Sequence, residues 1–228
     1  MAPRLSIVIP CLNEAARIEA CLQTLKPLRA RGCEVIVVDG GSWDGTPKRA
    51  APWADQVLQG PRGRGRQMSI GAQVAQGEVL LFLHTDTLLP EGADILLLEG
   101  LKKSGTVWGR FDVRLSGRHP GLRLVECLMN LRSRLTGIAT GDQAIFVQRE
   151  ALNTAGGFPD LPLMEDIALS SALKCLSRPL CLFTPAITSS RRWEEQGILH
   201  TILLMWWLRL RYFLGADPGQ LVKRYYRD

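Results

Sequence analysis

The sequence predicts a single α/β domain built on a mostly parallel, twisted sheet that is flanked by helices. Over the first hundred residues, short apolar runs alternate with segments of helical composition, the order that gives parallel strands joined by helices. The apolar runs are continuous rather than alternating, as in strands that are covered on both faces. With 228 residues and no repeat or low-complexity linker, the chain suits one compact domain with a substantial core.

The elements follow in order along the chain. Strands are predicted at residues 5–10, 34–39, 55–59, 79–83, 106–115, 144–148 and 180–183. Helices are predicted from about residue 14 to 25 with Asn13 as the N-cap, after Thr46 with Pro47 in the first turn, from the loop 60–66 to about residue 76, and at 122–135, 164–175 and 198–214. The first half is therefore expected to form a parallel, doubly wound sheet.

Charge and cysteine content restrict the partners and the compartment. Lys and Arg total 28 against 22 for Asp and Glu, so the net charge is +6, which suits attraction to phosphates or anionic lipid as well as plain solubility. No basic stripe interleaved with aromatic residues is present, so nucleic acid is not an expected partner. The six cysteines lack metal-finger or C-x-x-C spacing and the first residues do not resemble a signal peptide, so we expect a reduced, cytoplasmic protein with buried cysteines.

The segment 198–214 raises the question of membrane contact. It is strongly apolar, but His200, Arg209 and Arg211 interrupt it, and a membrane span needs about 20 mostly apolar residues. Two interpretations stay open. The segment is either a buried helix or a helix that lies in the interface of a membrane, which would place the protein peripherally on the inner face of the cytoplasmic membrane.

Polar residues follow the first, second and fourth predicted strands. The loop Pro10-Cys-Leu-Asn-Glu14 follows the first, Asp39 ends the second, and His84-Thr85-Asp86 follows the fourth. The carboxyl ends of parallel strands meet at the edge where open α/β sheets bind their ligands, beside helix N-termini that favour anions. Each feature alone is also typical of a turn or a helix cap. Together they favour a nucleotide-diphosphate site with a metal.

A glycine and arginine loop at residues 60–66 precedes the next helix. It lacks the G-x-G-x-x-G spacing of dinucleotide-binding proteins. Arg62 and Arg66 would suit a diphosphate, since guanidinium groups bind phosphate oxygens in pairs. A solvated basic loop is the competing interpretation.

Four motifs resemble, in order, those of family 2 glycosyltransferases, and the resemblance covers nearly the whole chain. They are Pro10-Cys-Leu-Asn-Glu14, Val37-Val-Asp-Gly-Gly-Ser42 with Asp44-Gly-Thr46, Phe82-Leu-His-Thr-Asp86 and Met164-Glu-Asp166. Three further segments are similar to a short bacterial subgroup associated with arsenosugar biosynthesis gene sets. These are Trp108-Gly-Arg-Phe-Asp112, Thr140-Gly-Asp-Gln-Ala144 and Ser190-Arg-Arg-Trp193.

The resemblance implies a GT-A fold, a nucleotide-diphosphate-sugar donor and a divalent metal, Mg²⁺ or Mn²⁺. The donor that the family implies by default is a UDP-sugar. It also implies inversion at the anomeric carbon. Residues 1–104 would form the nucleotide-sugar half and residues 105–228 the acceptor half. The expected donor-binding residues are Pro10, Asn13, Glu14, Asp39, Gly41, Arg62, Arg66, Thr85 and Asp86. Asp86 would also bind the metal. Asp166 would be the catalytic base, and Gly141, Asp142, Glu165, Arg192 and Trp193 would contact the acceptor.

The sequence departs from the family pattern in two places. His84 stands where many relatives have a first metal-binding carboxylate, so the donor and water would have to complete the site. Whether His84 is itself a nitrogen ligand stays open. The segment Ser189-Ser-Arg-Arg-Trp193 lacks the Gln of the motif found in processive members, so polymer synthesis is not expected. Packing is the alternative role for Trp193.

The expected activity is therefore transfer of one sugar to a hydroxyl of a small-molecule or lipid acceptor. Glu165 and Asp166 are adjacent, so on a helix they point about 100° apart and only one readily faces the sugar. Acidic decoration of a helix N-terminus is the alternative for this pair. A sugar-phosphate nucleotidyltransferase is the second enzyme class, although its glycine-rich basic signature is missing from the first loop. A non-catalytic module that binds a membrane surface through 198–214 is the third class.

Overall fold

A computed structural model of the chain describes residues 3–225. The strands are β1 (Leu5–Cys11), β2 (Glu34–Asp39), β3 (Gln56–Gln59), β4 (Val79–Phe82), β5 (Thr87–Leu88), β6 (Trp108–Leu115), β7 (Phe146–Gln148) and β8 (Leu180–Thr188). The helices are α1 (Ile18–Thr24), α2 (Lys26–Ala30), α3 (Thr46–Ala50), α4 (Arg64–Val74), α5 (Ala93–Ser104), α6 (Pro120–Thr136), α7 (Arg149–Thr154), α8 (Glu165–Lys174), α9 (Arg191–Glu195), α10 (Ile198–Phe213) and α11 (Pro218–Tyr225). A short 3-10 helix spans Gly141–Gln143.

The strands form one mixed sheet in the order β3-β2-β1-β4-β7-β6-β8-β5. The pairs among β3, β2, β1 and β4 are parallel, as expected. β7 then pairs antiparallel with both β4 and β6, whereas β6 and β8 are parallel. The predicted α/β class with a mostly parallel sheet is confirmed, but the doubly wound parallel arrangement ends at β4.

Helices cover both faces of the sheet. Side chains of β1 alternate between two cores, since Ile7 and Ile9 pack on one face and Val8 packs on the other. The first core includes residues of α1 and α5, and the second includes residues of α4 and α8. Both faces are therefore apolar, which explains why the strand sequences are continuous rather than alternating.

Several predicted boundaries are wrong for local reasons. The helix expected from residue 14 begins at Ile18, and Arg17 rather than Asn13 is its N-cap. Asn13 has a left-handed backbone (φ 55°) that holds it in the preceding loop. The helix also breaks at Leu25, since Pro27 starts a new helix, where proline is favoured. The strand expected at 180–183 continues to Thr188 because β6 offers it a parallel partner along its length.

The expectation of buried cysteines holds for half of them. Cys11, Cys21 and Cys33 are buried, whereas Cys127 and Cys175 are exposed. Cys127 lies on α6 and Cys175 lies at the end of α8. The number and spacing of the cysteines do not show which face of a helix each one occupies. None of the helices within residues 3–225 has both the length and the apolar content needed to cross a membrane.

Gly71 allows α4 to pack directly on the sheet. A Cβ atom at this position would lie 2.3 Å from Cγ1 of Val8 in β1. We therefore expect Gly71→Ala to lower the free energy of unfolding by about 2 kcal/mol, because the cost of overpacking exceeds the gain in helix propensity. Urea unfolding followed by circular dichroism measures this change. Gln73→Ala, on the exposed side of the same helix, is the control, and an equal effect of the two substitutions would contradict the packing argument.

Candidate active site

The loops after β1 and β2 are tied together by hydrogen bonds. The side chain of Asp44 accepts a hydrogen bond from the backbone N–H of Ala15 (2.9 Å), and the hydroxyl of Thr46 accepts one from that of Glu14 (2.8 Å). Asn13 joins the same network, since its side-chain oxygen accepts a hydrogen bond from the N–H of Trp43 (3.1 Å). These contacts fix the two loops as one unit at the carboxyl edge of the sheet.

Asp39 shapes the second of these loops. Its carboxylate accepts hydrogen bonds from the backbone N–H groups of Gly41 (2.9 Å) and Ser42 (2.8 Å), and from the hydroxyl of Ser42. The side chain is buried at the end of β2, and Gly41 supplies the positive φ (92°) that the turn requires. Pro10 is likewise buried, within β1. Contact of Asp39 with a nucleotide base stays a prediction.

Four carboxylates from separate segments converge at this edge, and we call Glu14, Asp86, Asp142 and Asp166 the acidic centre. Burial raises the pKa of Glu14, and the charge of Asp86 raises it further. Burial also raises the pKa of Asp142, with additional contributions from Asp86 and Asp166. Asp86 therefore lies within electrostatic range of both Glu14 and Asp142, and Asp166 lies within range of Asp142. Their combined negative charge favours a bound cation.

The oxygen-rich donor set suits Mg²⁺ or Mn²⁺, which prefer carboxylate oxygens. However, no group of three or more His, Cys, Asp or Glu side chains within the described residues is arranged to hold a metal ion. A role of Asp86 in binding a cation therefore stays a prediction.

His84 packs against the backbone of the 3-10 helix. A Cβ atom at Gly141 would lie 2.5 Å from Cε1 of the His84 ring, so a glycine is needed there. Nε2 of His84 is buried without a hydrogen-bond partner. Burial lowers the pKa of His84, and the nearby charge of Arg64 lowers it further. The imidazole is therefore neutral at physiological pH. It lies beside the acidic centre but contributes no positive charge to offset the carboxylates.

Asp166 lies in the first turn of α8, where its carboxylate is held in place. One oxygen accepts a hydrogen bond from the N–H of Gly141 (2.9 Å), and the other accepts one from the N–H of Ile167 (2.7 Å). The side chain is partly exposed, whereas that of Glu165 is buried. The structure thus brings Asp166, Gly141 and Asp142 together, and Asp166 is the more accessible member of the Glu165 and Asp166 pair.

The structure gives several predicted basic residues other contacts. Arg66 forms an exposed ion pair with Asp160 (2.7 Å), and Arg62 is exposed. Arg192 donates a hydrogen bond to the carbonyl oxygen of Tyr225 (2.7 Å) and stacks on its ring. Trp193 packs into an apolar cluster beside α6. These four residues thus have surface or packing contacts here, and their roles toward ligands stay predictions.

Two further arginines act on the acidic centre. The sequence suggests that Arg191 holds diphosphate or acceptor, whereas it does not single out Arg64. Arg64 influences His84, and it also opposes the effect of burial on the pKa of Asp142. Arg191 lowers the pKa of Glu14 against the larger effect of burial. Both side chains are exposed, and they belong to the first residues of α4 and α9.

The fold is an α/β fold of the GT-A type. The sequence profile described as Glycosyl transferase family 2 matches residues 6–148. The chain therefore belongs to this family. The narrower resemblance to the subgroup associated with arsenosugar biosynthesis stays a prediction.

Curated relatives are similar over different lengths. Poly-beta-1,6-N-acetyl-D-glucosamine synthase of Staphylococcus epidermidis is 24% identical over 217 residues, which cover 84% of this chain and 52% of that protein. A PGL/p-HBAD biosynthesis glycosyltransferase of Mycobacterium tuberculosis is 37% identical over 102 residues, or 42% of this chain and 40% of the relative. The chain thus spans about half the length, or less, of these relatives.

Solved structures share the fold. Glucosyl-3-phosphoglycerate synthase from Mycobacterium tuberculosis, in complex with Mn²⁺, UDP and phosphoglyceric acid, superimposes with a TM-score of 0.64 at 20% identity, covering 94% of this chain and 80% of that one. The mannosyltransferase PcManGT from Pyrobaculum calidifontis, in complex with GDP-Man and Mn²⁺, gives a TM-score of 0.61 at 24% identity and covers 83% of this chain and 57% of that one. The GT-A fold expected from the sequence is confirmed.

The buried Glu165 makes stability depend on pH. Burial and the charge of Asp166 raise the pKa of Glu165 from 4.5 to about 7. The folded protein then holds this proton more tightly than the unfolded chain does, so the contribution is fully present below pH 4.5 and is lost as the pH rises through 7. Glu165→Gln keeps a neutral side chain at every pH. We expect it to unfold like the wild type at pH 4.5 and to be about 3 kcal/mol more stable at pH 8.

Urea unfolding in EDTA across this pH range measures the difference. Glu150→Gln, at an exposed position of α7, is the matched control and should follow the wild type throughout. If Glu165→Gln and the wild type lose stability in parallel between pH 4.5 and pH 8, Glu165 does not titrate in this range.

Proposed function

We propose that the chain is an inverting, divalent-metal-dependent glycosyltransferase. It moves one sugar from a nucleotide-diphosphate-sugar, for which UDP is the proposed nucleotide, to a hydroxyl of a small-molecule or lipid acceptor. The observation that carries this proposal is the acidic centre, where the charges of Asp86 and of the partly exposed Asp166 both act on Asp142. One carboxylate is thus available for the proton and another for the metal.

The donor would lie on the loops after β1, β2 and β4. The tied loops offer Asn13, Glu14 and Gly41 at a fixed edge, and Thr85 and Asp86 follow β4. A preformed edge of this kind lowers the entropic cost of orienting a substrate. Solved relatives were crystallised with GDP-Man in one case and with UDP in another. Donors with either base therefore belong in the activity assay.

Asp86 would hold the divalent cation together with the donor. When bound, Mg²⁺ or Mn²⁺ supplies positive charge to the diphosphate as it leaves. The turn that carries Asp86 is fixed, because its backbone carbonyl accepts a hydrogen bond from the N–H of Ser189 (3.1 Å). This bond also links the turn to the segment that leads into α9 and Arg191.

Asp166 would act as the general base. It takes the proton from the acceptor hydroxyl while that oxygen forms a bond to the anomeric carbon, and the bond from this carbon to the diphosphate oxygen breaks. Attack from the side opposite the leaving group inverts the configuration. The hydrogen bonds from Gly141 and Ile167 hold the carboxylate in one orientation, which suits a base that must meet a hydroxyl at hydrogen-bonding distance.

Substitution of the two carboxylates tests this assignment. We expect Asp166→Asn to lower kcat for transfer by about 10² to 10⁴-fold, the usual contribution of a general base. Asp86→Ala should lower turnover to a similar extent and raise the Mn²⁺ concentration needed for activity. Release of UDP or GDP from a panel of nucleotide sugars, with Mn²⁺ or with EDTA, gives the readout and identifies the base.

Asp160→Asn is the control, since Asp160 is exposed and pairs with Arg66. Circular dichroism of each variant confirms folding. Full activity of both Asp86→Ala and Asp166→Asn would overturn the assignment of roles, and activity unaffected by EDTA would remove the metal from the proposal.

Contact with a membrane surface is a second part of the proposal, because two helices expose apolar stripes. They are Leu124, Leu128, Leu131 and Leu135 on α6, and Leu199, Leu203, Trp206, Leu210 and Phe213 on α10. We call them the apolar face. The interpretation of 198–214 as a fully buried helix is wrong, since one side packs through Leu204 and Leu208 and the other is exposed.

The two stripes point to the same side of the molecule. The helices run parallel, since Gly121 lies near Ile198 at their starts and Arg132 shares a cavity with Arg209 further along. At about 100° per residue, the exposed stripe on each helix lies about 90° around the helix axis from the side that contacts the other helix. The rotation is in opposite directions on the two helices, so both stripes face the same way. Arg211 and Arg224 stack near Trp207 at the rim, which suits anionic lipid.

We expect the protein to float with vesicles of phosphatidylcholine and phosphatidylserine. Leu203→Ser combined with Leu210→Ser should reduce the floated fraction about tenfold, since two leucines no longer enter the apolar layer. Phe183→Ser is the control, because Phe183 is similarly exposed but lies on β8. Flotation unchanged by the double substitution would exclude the apolar face as the docking surface.

A further inference from the structure

An open cavity lies between α6 and α10, apart from the loops proposed for the donor. Its volume is about 500 Å³, and its lining residues are Arg132, Trp206, Trp207, Arg209 and Leu210. The helices belong to the half of the chain that is expected to bind the acceptor. A cavity with two guanidinium groups and two indoles is unlike an apolar packing defect, because it combines charge with flat apolar walls.

The two arginines in this cavity lack the counter-ions that neighbouring arginines have. Arg110 and Arg134 both pair with Asp112. In contrast, Nε and one terminal nitrogen of Arg132 are buried without a hydrogen-bond partner. Within residues 3–225, no ion pair of Arg132 or Arg209 is present. Buried donors of a guanidinium are costly unless an acceptor reaches them.

The electrostatics of the pair agree with this geometry. Burial, with the charge of Arg209 as the next cause, lowers the pKa of Arg132 to about 10. Burial likewise lowers the pKa of Arg209. Both guanidinium groups remain charged at neutral pH, so two like charges face one cavity. An anion with several oxygens would accept hydrogen bonds from both and relieve their repulsion.

The cavity is close to the proposed base. The charges of Asp166 and Asp142 act on both Arg132 and Arg209, in the direction opposite to burial. Packing explains the proximity, because Met164 and Ile167, which flank the acidic pair at the start of α8, share a core with α10. A molecule whose anionic group sits between the arginines can therefore extend a hydroxyl toward Asp166.

We propose that this cavity is an anion subsite for the acceptor, and that the acceptor is a hydroxylated molecule that bears a phosphate group. The proposal rests on the proposed function for the position of the reacting hydroxyl, but the binding of phosphate by the two arginines does not depend on it. Planar guanidinium groups bind phosphate oxygens in pairs, and the indoles of Trp206 and Trp207 exclude water from one side of the group. The phosphate can belong to a soluble metabolite or to a lipid headgroup.

Four acceptors separate these cases. Glycerol and glycerol 3-phosphate form the soluble pair, and diacylglycerol and phosphatidylglycerol in phosphatidylcholine vesicles form the lipid pair. Every one of the four offers a primary hydroxyl, and only the second member of each pair carries a phosphate. We expect transfer to the phosphorylated member at a kcat/KM at least about tenfold above that of its partner. The pair that is used identifies whether the source is soluble or membrane-bound.

Arg132→Gln and Arg209→Gln should abolish this preference by raising the KM of the phosphorylated acceptor at least about tenfold, with the KM of the donor and its slow hydrolysis unchanged. Lysine at either position keeps the charge but loses the planar fork, so it should restore the preference in part. Arg178→Gln is the control, since Arg178 is an exposed arginine that does not line the cavity. Circular dichroism and thermal melts of each variant check that it folds, so that a change in KM can be assigned to the cavity.

Thermal shift with glycerol 3-phosphate and with inorganic phosphate tests the subsite independently of transfer. Stabilisation of the wild type that is lost in Arg132→Gln supports the proposal even if no nucleotide sugar is hydrolysed, a result that would overturn the proposed function alone. Equal use of phosphorylated and neutral acceptors would overturn the subsite while leaving the glycosyltransferase intact. A raised KM for the donor in the glutamine variants would overturn it too, because the arginines would then bind the donor.

Discussion

The mutual repulsion of the carboxylates in the acidic centre is the constraint on which the rest of the site depends. Glu14, Asp86, Asp142 and Asp166 come from four segments, so the chain brings them together only by folding the whole sheet edge. The pKa of Glu14 and that of Asp142 are raised, mainly by burial and partly by these neighbours. Binding of the proposed cation and donor would relieve this repulsion, which would place binding energy where the chemistry needs it.

The surrounding hydrogen bonds explain why the repulsion does not open the site. Backbone N–H groups hold Asp39 and Asp166, and the side chain of Asp44 joins the loops after β1 and β2. These bonds use main-chain donors, so their geometry is set by the fold and does not require a bound substrate. The proposed metal would then contribute charge rather than scaffold, and its removal should affect catalysis more than folding.

The sequence predicts the ends of the first, second and fourth strands to within one residue, because their position depends on local pattern. A continuous apolar run ends where the strand leaves the core, so Asp39 could be placed from residues 34–39 alone. The basic residues could not be assigned in this way. Among the arginines of the loop at 60–66, the choice between Arg66 and Arg64 depends on where α4 begins and on Asp160, which is far away in the sequence. In the sequence, Arg209 is a single charged residue within an apolar helix. Only the packing of α10 beside α6 in the structure shows that Arg209 shares a cavity with Arg132.

The apolar face and the anion subsite lie on the same pair of helices, which links their functions. Trp206 and Leu210 belong to both, since they are exposed on the apolar face and also line the cavity. A headgroup phosphate at a membrane surface lies at the level where indole rings are favoured, directly above the acyl chains that would contact the leucines. A lipid acceptor would therefore satisfy the arginines and the apolar stripes at once, whereas a soluble phosphate would leave the stripes exposed. The shared residues thus favour a membrane-bound source for the phosphate.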